Sequence, residues 1–189
     1  MSFLGSLSAG IARIETFVGA SLGAITMALI LLNVVTRSFA KSLFWVDGAA
    51  IASMVWMAFL GASVALHHRE TIAVTLLPDA MRGKSAQWLR IVVDTIILIF
   101  FAILLALSWT WFDPLTLAKN GFDTKAFAAE TFNFIYAEVS TTLGIPKFWL
   151  WLIVPIFSLN SSIHALSNLS HSIVETIRPD GSSHNEEAV

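Results

Sequence analysis

Residues 91–111 read IVVDTIILIFFAILLALSWTW, and a single charge, Asp94, lies near the start of this run. Crossing about 30 Å of hydrocarbon takes roughly 20 mostly apolar residues at about 1.5 Å each. The run has that length. Lipid offers no hydrogen bonds, so each backbone N–H and C=O must be paired within the segment, and the segment must be a helix.

Three further stretches share the pattern. Residues 17–35 carry no charge. Residues 45–66 carry Asp47 near their start, and residues 148–166 carry only His164 near their end. The composition agrees: 56% of the 189 residues are hydrophobic and 13% are charged. Soluble domains carry roughly 25% charged residues, so lipid must replace the missing polar coat. The fold class expected is an all-α integral membrane protein of four transmembrane helices with short amphipathic interfacial helices. Residues 1–175 form one membrane domain.

Net charge is only −2, which gives no electrostatic case for nucleic acid. The absence of cysteine excludes disulfides, thiolate metal sites and cysteine nucleophiles. Residues 1–10 lack a basic region, so a cleaved signal peptide is not expected. Trp45, Trp88, Trp109, Trp111, Trp149 and Trp151 fall at span ends, where indole favours the interface; Trp56 alone is central. Arg69, Arg82, Lys84 and Arg90 cluster around one short loop, and this places both termini in the cytoplasm.

The connections carry structure of their own. Phe3, Leu7, Ile11 and Ile14 recur at helical spacing and predict a surface helix over 3–14 that runs into the first span. Residues 112–147 are too many for a bare turn. Asn120-Gly121 marks a turn and Asp123 is a helix cap. Phe132, Ile135, Tyr136, Val139 and Leu143 make an apolar stripe ended by Gly144 and Pro146, which predicts an amphipathic helix over 123–143. Ile72, Val74, Leu76 and Leu77 suggest that the loop after the second span hugs the inner face, with Pro78-Asp79 starting the next helix. Residues 176–189 read as a disordered tail.

No phosphate loop and no hydrolase or zinc-protease motif is present, so an enzyme is not expected. Ionisable groups in or beside the spans become the candidates. A short hairpin can bring Arg37 to Asp47. Arg90 lies one turn from Asp94. Asn33 and Asn160 suit helix–helix bonding. The span centres lack the convergent polar groups or broken helices of a self-sufficient transporter. Gly19 and Gly23 offer close helix contacts. His67, His68 and His164 fall on one side, and two imidazoles from different helices could hold a haem b; a haem-carrying anchor of a redox complex is the alternative reading.

Several pieces together resemble the small membrane subunit (Q-type, DctQ-like) of tripartite ATP-independent periplasmic, or TRAP, transporters. They are Asn33-Val34-Val35-Thr36-Arg37, Ser42-Leu43-Phe44-Trp45, Trp56 with Phe59-Leu60-Gly61-Ala62, and Ile72-Ala73-Val74 with Leu77-Pro78. The last is Gly144-Ile145-Pro146-Lys147-Phe148-Trp149 with Pro155-Ile156. The chain departs from the family at Val46-Asp47-Gly48, where one acid stands, and at Thr71, where the family often has histidine. The resemblance implies a scaffold for a large M-type transmembrane subunit in a bacterial inner membrane. It implies a periplasmic binding protein as a transient partner and uptake of organic acids driven by an ion gradient, typically sodium. No cofactor is implied. Arg37, Trp45, Asp47, Trp56, Arg69 and Asp94 are the candidates for contact with a partner subunit or with lipid headgroups.

Overall fold

A computed structural model describes residues 3–69 and 84–177. Its described residues contain four helices long and apolar enough to cross a membrane. In chain order the helices are α1 (Phe3–Ser38), α2 (Phe44–His68), α3 (Lys84–Phe112), α4 (Pro114–Lys119), α5 (Thr124–Thr131), α6 (Phe148–Trp151) and α7 (Ile153–Ile177). α1 packs chiefly on α2 and α3 on α7, while α7 also touches α2 and α1.

The antiparallel α1–α2 pair is close because glycine lines it. A β-carbon on Gly23 would meet Met57 Sδ at 3.1 Å, and one on Gly19 would meet Leu60 Cβ at 3.9 Å. Phe157 of α7 joins the two hairpins, with its ring 5.1 Å from Phe59 of α2 and 5.4 Å from Phe101 of α3. Pro155 has no N–H to offer the carbonyl four residues earlier, and the fourth span accordingly divides at Leu152 into α6 and α7.

Two expectations about the connections change. The 3–14 helix is not a separate element: α1 continues unbroken through it. Ser8, Ala12 and Glu15 turn inward on that stretch, while Phe3, Leu7, Ile14 and Phe17 turn outward.

The 123–143 helix also ends early. Asp123 caps α5 by accepting from the N–H groups of Lys125 and Ala126. At Phe132, however, the backbone turns left-handed (φ 54°). Asn133 then competes for backbone partners, as a short amide does. Its Nδ2 donates to Trp111 O at 2.6 Å, and its Oδ1 accepts from Ile135 N–H at 3.1 Å. The chain folds back where Val139 bridges Pro146 and Gly144 takes φ 68°.

The apolar stripe becomes a small core. Ile135 is buried, and the Tyr136 ring lies 5.3 Å from Phe127 and 5.5 Å from Phe148. The Tyr136 hydroxyl donates to Phe112 O at 2.6 Å. Burial, then the nearby Asp113 charge, raises the Tyr136 pKa, so the phenol stays neutral and able to donate.

The expected inner-face loop and Pro78-Asp79 helix start lie outside the described residues, as do residues 178–189 of the expected tail. Residues 176 and 177 close α7 as helix.

Candidate subunit-interface and headgroup sites

The short turn between α1 and α2 fixes one site. Asn33 and Arg37 are one turn apart on α1, and Asp47 occupies the first turn of α2. Arg37 donates to Asp47 Oδ2 at 3.1 Å and to Asn33 Oδ1 at 3.1 Å. Asn33 Nδ2 donates to Asp47 Oδ1. The expected Arg37–Asp47 pair is therefore formed, with an amide bridging it. Side-chain exposure is 61% for Arg37 and 40% for Asp47, which leaves both open to a phosphate or a partner's polar group. Trp45 is exposed beside them.

Trp56 is differently engaged. Its Nε1–H donates to Leu150 O at 3.0 Å and ties α2 to α6. Between these elements lies a cavity of about 440 Å³, walled by Ile51, Val55, Leu150 and Trp151, with Asp47 and the Glu138–Lys147 pair in its lining.

The site at the opposite end of α2 is closed. Arg69 follows α2 at a left-handed residue (φ 58°), a conformation that costs a non-glycine residue and persists when contacts hold it. Its guanidinium donates to Asp94 Oδ2 at 3.1 Å, Ser172 Oγ at 2.9 Å and Asn168 O at 2.6 Å. Ser172 donates to Asp94 at 2.6 Å, and Asn168 Nδ2 donates to Leu66 O at 2.9 Å. Asp94 is 3% exposed. Sequence spacing suggested Arg90 as its partner; the structure brings Arg69 onto it from another helix.

A second buried cluster gathers His67, His164 and Asn160, each singled out in the sequence, around Ser8 and Glu15, which were not. Glu15 of α1 is 3% exposed, and accepts from Asn160 Nδ2 at 2.9 Å. Its other oxygen lies 3.1 Å from His164 Nε2. The second nitrogen of His164 is 2.7 Å from Ser8 Oγ, which also meets His67 Nδ1 at 2.7 Å. One carboxylate thereby joins α1 to α7, and one hydroxyl joins both to α2.

This cluster does not fit a haem. Both ring nitrogens of the fully buried His164 have protein partners, and its ring lies 5.1 Å from that of His67, too close for a porphyrin between them.

The geometry is that of a membrane bundle whose buried ionisable side chains Glu15, Asp94 and His164 are paired within it, with an open polar corner at Arg37 and Asp47. No curated protein matches the chain. The family model described as "Tripartite ATP-independent periplasmic transporters, DctQ component" matches residues 26–175. That match spans all four long helices, at least in part, and the chain belongs to this family of transporter components.

Proposed function

We propose that this chain is the static scaffold of its transporter. On this reading it supports a large M-type subunit that moves organic acids such as sialic acids or C4-dicarboxylates, delivered by a periplasmic binding protein and driven by a sodium gradient. It sits in the inner membrane with both termini in the cytoplasm.

One observation carries the scaffold role. The buried polar side chains Asp94, Glu15 and His164 are spent on holding helices together, and the long helices otherwise present apolar side chains outward. A solute-carrying chain keeps convergent polar groups free at its site. Arg37 and Asp47 form an open polar pair beside the outer apolar surface, near the exposed Glu138–Lys147 pair, and Trp45 adds an exposed indole next to them. They are the candidates for docking the large subunit or lipid headgroups. Trp56 serves by tying α2 to α6, and Arg69 and Asp94 by holding α2, α3 and α7 in register.

Reconstitution tests this reading. The chain alone in proteoliposomes should take up no sialic acid or C4-dicarboxylate under an inward sodium gradient. The co-purified complex with its binding protein should accumulate its solute. Uptake by the chain alone would contradict the scaffold role.

A further inference from the structure

We propose that Glu15, Ser8, His67 and His164 form a proton-binding site, in which the Ser8 hydroxyl relays a proton from an accessible imidazole to a buried imidazole–carboxylate pair. Ser8 Oγ lies 2.7 Å from Nδ1 of His67 and 2.7 Å from Nδ1 of His164. A hydroxyl has one proton to give. Were both nitrogens bare, one contact would set lone pair against lone pair. At least one of the two rings therefore carries a proton on Nδ1.

The Glu15 carboxylate decides which. One oxygen accepts from Asn160 Nδ2, and the other needs an N–H from His164 Nε2, 3.1 Å away. A neutral His164 then has its proton on Nε2 and a bare Nδ1, which accepts from Ser8. Ser8 in turn accepts from the Nδ1–H of a neutral His67. This is the empty form of the site, with four hydrogen bonds around one buried negative charge.

The proton enters at His67. Its Nε2 has no partner among the described residues, and the ring is only partly buried. It lines a cavity of about 530 Å³ with Arg13, Thr16 and His68, whereas Ser8, Glu15 and His164 are buried. As Nε2 gains a proton, the Nδ1 proton passes to Ser8 Oγ and the Ser8 proton passes to His164 Nδ1. His67 ends neutral with its proton on Nε2. Ser8 ends as a hydroxyl again, and His164 ends as an imidazolium against the Glu15 carboxylate. The same four hydrogen bonds remain, two of them reversed, and no side chain has to move.

The surrounding charges favour the transfer. On His67 the proton would face the His68 ring, 4.9 Å away on the same helix, and share its cavity with Arg13 of α1. Arg69 is turned onto Asp94 of α3, and His171 and Glu175 of α7 pair with one another in an exposed position. On His164 the proton stands beside a carboxylate that is 3% exposed, where a charge without a partner costs most. The joint between α1, α2 and α7 thus takes up and releases a proton without breaking.

Replacing His68, His171 and His184 by asparagine leaves these two imidazoles alone in the chain. The full chain, with histidine isotopically labelled at the ring nitrogens, is titrated in detergent micelles. Nitrogen resonances separate bare nitrogen from N–H, and the ring lost in His67→Gln assigns the pair. On acidification His164 Nδ1 should change from bare to N–H. At the same midpoint His67 should stay neutral and exchange Nδ1–H for Nε2–H. A charged His67 beside a His164 with Nδ1 still bare would overturn the site. So would rings with separate midpoints, or rings that keep one state wherever the chain stays helical. Ser8→Ala should abolish the tautomer change at His67, and Ser8→Thr, which keeps a hydroxyl, should preserve it. A change that persists in a helical Ser8→Ala variant would overturn the relay.

Discussion

Arg69 meets Asp94 at 3.1 Å, and Arg37 meets Asp47 at the same distance. The chemistry is one; the surroundings are opposite. At the Arg69–Asp94 pair the carboxylate is buried, and a serine and a backbone carbonyl complete the network. At the Arg37–Asp47 pair both side chains are exposed, with one asparagine between them. Burial raises the cost of losing a partner, because the charge left behind has no water to turn to. Exposure makes the pair weak and available. The buried joint is suited to building the bundle and the exposed one to meeting something else.

The largest test of this contrast is Asp94→Ala. Removing the carboxylate leaves a partly buried guanidinium, and loss of one partner of such a pair costs about 3–5 kcal/mol. Thermal unfolding in detergent should fall sharply, while Asp94→Asn, which keeps one acceptor for Ser172, should fall less. Equal, small effects of the two would mean that the joint does not hold the fold.

Glu15→Ala comes next. It strips Asn160 and His164 of their acceptor, at about 1–3 kcal/mol for each group left unsatisfied. Glu15→Gln should recover much of that, as judged by SDS-titrated loss of helix.

Tyr136→Phe removes one hydrogen bond from the outer segment and should cost about 1 kcal/mol, visible as earlier proteolysis between α3 and α6 and not as loss of the bundle.

Arg37→Ala should cost the isolated chain below about 1 kcal/mol. The same variant should retain less of the large subunit on purification. If stability, assembly and uptake all stay unchanged, the outer corner has no docking role.

How much of this was legible depends on sequence separation. The four long helices follow from uninterrupted apolar runs, as in residues 97–105, where nothing competes. Arg37–Asp47 was legible because ten residues around a tight turn leave little freedom. Arg69–Asp94 was not, since the two residues come from different helices with an intervening loop. Glu15 fell between the expected 3–14 helix and the first span and was not singled out, yet the signal existed: Ser8, Ala12 and Glu15, spaced four and three, share the face opposite Phe3, Leu7, Ile14 and Phe17. A polar face on an apolar helix points to water or to the bundle core, and here the core won. Residues 132–143 carried a true helical period and still formed a folded-back loop. The period recorded which side chains are apolar, and Asn133 decided the backbone.

The subunit role is tested most directly by tagging the chain, extracting it from its native host in mild detergent, and identifying by mass spectrometry what co-purifies. A large polytopic membrane protein at stoichiometric yield is the expected result, and the solute would follow from that partner. A flavoprotein or iron–sulfur partner, or the chain emerging alone, would contradict it.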